Sequence, residues 1–200
     1  MLILVRHGQT DANAEGRLLG RMESPLSDLG RRQAAAVVEA VQRAGARPAR
    51  VVSSPLTRAR ETAAVFGLPV EIDERWVELD YGAYDGALLA DVPAKLWAAW
   101  RADPAFAPPH GESMAALGRR VRDACAELAR SGSADDVVVV SHVSPIKAAV
   151  AWALGVEDGI AWRMRLDTAS ICRVATRAPG PTLWTFNEVA HLNGLQAVMP

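Results

Sequence analysis

The sequence predicts an α/β protein: three layers, α/β/α, around a mostly parallel central sheet, with residues 1–200 forming one domain. Two observations carry that prediction. The short runs Leu2-Ile3-Leu4-Val5 and Val137-Val138-Val139-Val140 are wholly apolar, as expected of strands buried on both faces. Between such runs lie segments with apolar residues at helical spacing, and strands that alternate with helices assemble a parallel sheet covered on both sides. Half of the 200 residues are apolar, enough for a sizeable core.

The elements follow in order. After the first strand, a polar loop from Asp11 to Ser24 leads to Pro25-Leu26-Ser27-Asp28, where Ser27 is placed to cap a helix that runs through Ala44. Arg50 to Ser54 reads as a second buried strand, Pro55 to Phe66 as a helix, and Pro69 to Ile72 as a third strand. Val77 to Gly86 is irregular, and Asp91 to Arg101 is helical with Trp97 and Trp100. Pro104, Pro108 and Pro109 break that helix. Glu112 to Arg130 is a long amphipathic helix, with Met114, Leu117, Val121, Cys125 and Leu128 along one stripe and Glu112 and Ser113 at its cap. The strand Val137 to His142 precedes a helix from Pro145 to Leu154, and two late strands, Ala169 to Thr176 and Thr182 to Asn187, fall near a sheet edge. The six tryptophans, Trp76, Trp97, Trp100, Trp152, Trp162 and Trp184, are expected mainly in the core.

Twenty-two basic and 23 acidic residues give a net charge of −1, so charge offers no case for a nucleic-acid or membrane partner. No apolar run reaches the roughly 18 residues of a membrane span. The chain starts directly on a strand without the basic and apolar regions of a signal peptide, and a cytoplasmic location is expected. Cys125 and Cys172, each in apolar surroundings, suit buried free thiols. No ligand cluster suggests a metal, and no cofactor is expected.

The chemistry concentrates where two strands end. Val5-Arg6-His7-Gly8 and Val140-Ser141-His142-Val143 each set a histidine just beyond an apolar strand, at the edge where open α/β sheets bind ligands. Arg58 follows the Val51-Val52 strand at the start of a helix, from which its guanidinium can turn over the same edge. A planar guanidinium binds phosphate bidentately and stays charged at any working pH.

These residues sit in an ordered series of blocks. Arg6-His7-Gly8-Gln9-Thr10 with Asn13 is followed by Gly16-Arg17 through Pro25-Leu26-Ser27 and Gly30. Ser53-Ser54-Pro55-Leu56-Thr57-Arg58-Ala59 with Thr62-Ala63 comes next, then Glu78-Leu79-Asp80-Tyr81-Gly82 with Asp85-Gly86, Gly111-Glu112-Ser113 and Ser141-His142. The series resembles the histidine phosphatase superfamily, also called the phosphoglycerate mutase-like family, over about residues 2 to 155. The resemblance implies the phosphoglycerate mutase-like fold and hydrolysis, without metal, of a phosphomonoester on a small phosphorylated metabolite. His7 would be the nucleophile that becomes a phosphohistidine, its other ring nitrogen tied to a backbone carbonyl. Arg6, Arg58 and His142 would surround the phosphoryl oxygens, with Asn13 and backbone N–H groups at Gly20 and Val143 as further donors. Glu78 matches the acid that protonates the leaving alkoxide and later activates water; Glu74, Asp80 and Asp85 are neighbouring rivals. A homodimer is compatible with the resemblance.

Other readings remain open at this stage. A mutase would use the same histidine but return the phosphate, and it carries a longer basic insertion after the acid. Here Ala87 to His110 holds only Lys95 and Arg101 as cations, with four prolines, which favours hydrolysis. A non-catalytic phosphate-binding module would be expected to lack a nucleophile or an acid, and His7, Arg58, Glu78 and His142 are all present. The sequence departs from many relatives in reading Val143-Ser144-Pro145 after His142, and Lys147 stands where an arginine is common. His110 is expected in an exposed loop and His191 in a tail of open role. Trp97 and Trp100 fall where relatives build a substrate lid.

Overall fold

The structure, a computed structural model, describes residues 1–130, 135–177 and 179–195. Six strands form one sheet: β1 (Leu2–Arg6), β2 (Pro48–Ser53), β3 (Val70–Ile72), β4 (Asp136–Ser141), β5 (Ile171–Ala175) and β6 (Thr182–Glu188). Their order is β3-β2-β4-β1-β5-β6. The first four in that order are parallel, and β5 and β6 add antiparallel partners beside β1. The helices are α1 (Asp11–Ala14), α2 (Asp28–Arg43), α3 (Thr57–Ala64), α4 (Ala94–Ala102), α5 (Met114–Arg130) and α6 (Val143–Leu154). The expected three layers are present.

Side-chain alternation explains how an all-apolar strand serves two cores. Leu2 and Leu4 of β1 and Val137 and Val139 of β4 join Leu117, Val121 and Cys125 of α5 and Ile146 and Val150 of α6. Ile3, Val5, Val138 and Val140 face the other way, onto Val37 and Val41 of α2 and Ala59 and Ala63 of α3. Each fully buried aliphatic side chain of this size contributes about 1.5–3 kcal/mol of transfer free energy. Cys125 and Cys172 are buried free thiols, and burial raises the pKa of both.

Helix starts follow local chemistry. The hydroxyl of Ser27 caps α2 by accepting from Gly30 N–H at 3.1 Å. Ser113 caps α5 by accepting from Ala116 N–H at 3.2 Å, whereas Glu112 turns aside to pair with Arg120. The segment expected as loop after the first strand contains α1, a single turn closed by reciprocal bonds between Thr10 and Asn13. Helix α6 begins at Val143, two residues before the proline that the sequence suggests as its start. Proline is tolerated because first-turn N–H groups have no partner inside the helix.

A third apolar cluster forms between the loop after β1 and α4. Trp100 is buried at its centre with Leu18, Val92 and Leu96, and Tyr81, Trp97, Phe106 and Trp162 pack around it. Trp184 departs from the expected core location: it lies on edge strand β6 and is 62% exposed. Among the described residues, no helix is long and apolar enough to cross a membrane, and no group of three or more His, Cys, Asp or Glu is arranged to hold a metal ion.

Candidate active site

The register of the central strands assembles the site. Arg6 of β1 lies opposite Ser141 of β4, so His7 and His142 leave neighbouring parallel strands at the same level of the C-terminal edge. Their rings sit 5.0 Å apart. On the far side of β4, β2 ends at Ser53 opposite Val140 and hands the chain to α3, whose second residue is Arg58.

His7 is 3% exposed, and its Nδ1 lies 2.7 Å from the Gly8 carbonyl. A carbonyl can only accept, so Nδ1 carries the proton and Nε2 keeps its lone pair. Burial above all, then the charges of Arg58 and Arg6, pushes the His7 pKa well below its ordinary value, so the ring is neutral. The glycines around it are required by close approach. A Cβ on Gly8 would lie 2.4 Å from the Gly30 carbonyl oxygen, and one on Gly30 would lie 2.0 Å from that of Gln9. Thr62 ties this turn to α3, accepting from Gly8 N–H and donating to the Arg58 carbonyl.

Arg58 is fully buried. Its Nη2 donates to the Gly20 carbonyl at 2.6 Å, Nη1 to the Met22 carbonyl at 2.9 Å, and Nε to His142 Nδ1 at 3.3 Å. The last bond makes Nδ1 of His142 an acceptor. Its proton therefore sits on Nε2, which donates to the Ser54 hydroxyl at 2.7 Å. His142 is also held neutral, by burial first and then by Arg58, His7 and Arg6. Both of its nitrogens thus have protein partners, a commitment that sequence alone gave no means of seeing. Arg6 donates through Nη1 to the Leu166 carbonyl at 2.6 Å, and its buried Nε has no protein partner. Burial lowers the Arg6 pKa to about 10, which leaves it a cation at neutral pH.

Glu78 is 3% exposed and rests at the N-terminus of α6, where its Oε1 accepts from Ser144 N–H at 3.2 Å and from its own neighbour Leu79 at 2.7 Å. Its charge acts on Arg6 and Arg58 alike, raising the pKa of both against the effect of burial. The early start of α6 creates this contact, because Ser144 belongs to the first turn. Arg120 supports the same segment from behind, donating to the Arg75 and Glu78 carbonyls while gripping Glu112 with two bonds.

The remaining expected site residues divide. Asn13 uses its carbonyl oxygen in the α1 cap by accepting from Thr10 N–H, which leaves its amide nitrogen as the donor. Val143 is the first residue of α6 and is half-buried. Gly20 corrects the expectation that its N–H is open to an anion: the Asp85 carboxylate takes it at 2.7 Å. Among the rival acids, Glu74 is exposed, Asp80 accepts from Gly82 N–H, and Asp85 is fully engaged by backbone. His110 is exposed at φ 61°, and His191 donates to the Ala169 carbonyl, a layer behind the His7 backbone. Trp100 serves the aromatic cluster, 5.7 Å from Tyr81 and 5.4 Å from Trp97.

A neutral histidine at a strand end, two arginines and a buried glutamate thus gather at the C-terminal edge of an α/β sheet. The profile of the histidine phosphatase superfamily (branch 1) matches residues 2–189, and the chain belongs to that family. It is 38% identical over 177 residues to a bifunctional protein of Mycobacterium tuberculosis, covering 85% of this chain but only 48% of that protein, so the chain spans about half that relative's length. It is 38% identical over 156 residues to a glucosyl-3-phosphoglycerate phosphatase of the same species, covering 70% and 69% of the two chains. A probable phosphoglycerate mutase of Citrobacter koseri is 33% identical over 204 residues, 95% and 94% of the two. Among solved structures, phosphoserine phosphatase from Entamoeba histolytica in complex with 3-phosphoglyceric acid superposes with a TM-score of 0.87 at 26% identity, covering 96% and 98% of the two chains.

Proposed function

We propose that the chain is a metal-independent phosphomonoesterase that works through a phosphohistidine on His7. The observation that carries this reading is the state of the His7 ring: neutral, its Nδ1 proton fixed on Gly8, its Nε2 lone pair available beside two guanidinium groups. The Nε2 lone pair forms a bond to phosphorus as the ester P–O bond breaks. Glu78 gives its proton to the departing alkoxide oxygen. The resulting carboxylate then takes a proton from the water that attacks the phosphohistidine, which releases inorganic phosphate and restores His7. Arg6 and Arg58 stabilise the charge on the phosphoryl oxygens, with the Asn13 amide and the Val143 N–H at the rim. We read His142 as the group that holds Arg58 and faces His7, since its own nitrogens are already engaged.

The relatives named for glucosyl-3-phosphoglycerate and for phosphoserine support a small phosphorylated metabolite as substrate. The match to a probable mutase keeps phosphotransfer as the second reading. Phosphate release from a panel of phosphomonoesters in EDTA separates the two, with phosphoserine, phosphoglycerates, glucosyl-3-phosphoglycerate, sugar phosphates and α-ribazole phosphate in the panel. Turnover in the wild type that His7→Ala abolishes is expected. Interconversion of 3- and 2-phosphoglycerate without phosphate release would establish the mutase instead. Binding of phosphate without either reaction would establish a non-catalytic module.

A further inference from the structure

Asp85 is one of the carboxylates that compete with Glu78 for the acid role on sequence grounds, and the structure gives it other work. Its Oδ1 accepts from Gly20 N–H at 2.7 Å, and its Oδ2 accepts from Arg21 N–H at 2.9 Å and Met22 N–H at 2.8 Å. Three successive amides pointing one way form a concave nest that requires an anion. Asp85 is that anion.

The opposite face of the same loop holds Arg58. With the amides of residues 20–22 turned toward Asp85, the Gly20 and Met22 carbonyls turn toward the guanidinium and accept from its two terminal nitrogens. A guanidinium has five N–H donors in a rigid fork. The two carbonyls and His142 take three, so one N–H on each terminal nitrogen is left, its direction dictated by the bonds already made. The loop cannot yield by sliding. A Cβ at Gly20 would lie 2.8 Å from the Tyr81 ring and 2.9 Å from the Leu79 carbonyl oxygen, so its backbone is pressed against the Glu78–Tyr81 segment.

We propose that Asp85 is a positioning residue for phosphoryl binding: through the Gly20–Met22 loop it sets the direction in which Arg58 presents its two remaining N–H donors. This rests on Arg58 being a phosphoryl-binding group. Asp85 also ties that grip to the segment leading to α4. The next residues pair with the loop before residue 20, Gly86 N–H donating to the Leu18 carbonyl and Leu18 N–H to the Ala87 carbonyl, both at 2.8 Å.

The test is a double-mutant cycle read by calorimetric binding of inorganic phosphate to the full chain, using Asp85→Asn, Arg58→Gln and the double variant. Asparagine keeps the size of aspartate but offers one acceptor oxygen where three N–H groups need partners. Asp85→Asn is expected to weaken phosphate about tenfold when Arg58 is present and less than twofold when it is glutamine. Equal weakening in both backgrounds, or none in the first, overturns the proposal. Asp85→Ser takes the place of Asp85→Asn in the same cycle if the latter fails to fold, as judged by circular dichroism. Because the probe is phosphate binding, the cycle reads the same way in a chain that binds phosphate without hydrolysing any ester. Failure of hydrolysis is therefore separable from failure of this inference. A wild type that does not bind phosphate would overturn both.

Discussion

Two buried neutral histidines make the stability of this fold depend on pH in a calculable way. In the unfolded chain each imidazole titrates near 6.5, whereas in the folded chain burial and the adjacent arginines hold His7 and His142 well below that value. Between those limits the unfolded state binds more protons, so acid favours unfolding and stability rises with pH. Their stabilisation is fully present above about pH 6.5 and falls by up to about 1.4 kcal/mol per histidine for each pH unit below it. From pH 7.0 to 5.5 the pair accounts for a loss of about 2–3 kcal/mol, a large share of a typical domain's 5–15 kcal/mol. Urea unfolding in phosphate-free buffer at the two pH values measures it. His191, also pushed down by burial, adds to the total slope, so the decisive quantity is the difference between variants. His7→Gln should remove about half of the pair's contribution whatever it does to absolute stability. A slope that His7→Gln leaves untouched would refute the claim that His7 is folded in its neutral form.

Three further outcomes are expected. Glu78→Gln keeps an acceptor for the Ser144 and Leu79 amides but has no proton to give, so turnover of alkyl phosphates should fall by about 10²–10⁴. Nitrophenyl phosphate, whose leaving group departs as a stable anion, should lose far less; equal losses on both would remove Glu78 from the acid role. Gly30→Ala forces a Cβ into the Gln9 carbonyl and displaces the turn behind His7, at a cost of about 1–3 kcal/mol or more together with lost activity. A stable, fully active alanine variant would contradict that packing. Trp184→Ser, on the outer edge of the sheet, should change stability by no more than about 0.5 kcal/mol, and a larger loss in thermal or urea unfolding would show a buried role.

The sheet was legible because its central strands are buried on both faces. Leucine, isoleucine and valine without interruption from Leu2 to Val5 of β1 and from Val137 to Val140 of β4 point to a covered parallel strand, and the helical stripes supply the two covers. Elements that depend on a single side-chain bond were not legible. The one-turn helix α1 exists through the Thr10–Asn13 exchange, which lacks the Glu or Gln of the usual capping signature and has no apolar stripe to announce it. Trp184 misled because an edge strand leaves one face open to solvent, where a large apolar side chain is tolerated singly.

The site divides along the same line. Residue types and strand ends brought His7, His142 and Arg58 to one edge in prospect, and the family resemblance alone added Glu78. What pattern does not encode is which hydrogen-bonding groups are already taken. Gly20 N–H, expected among the phosphate donors, meets Asp85; His142, expected beside the phosphoryl oxygens, accepts from Arg58 and donates to Ser54. Both differences have one cause. The buried Arg58 guanidinium places three of its five N–H donors on protein acceptors before any ligand arrives, because each unpaired buried polar group costs about 1–3 kcal/mol, more if charged. The fold meets that demand with a histidine ring and two loop carbonyls, and Asp85 satisfies the loop in turn. Arg58 is therefore oriented in the folded protein ahead of substrate, and little reorganisation is left for the moment when charge develops on the phosphoryl group.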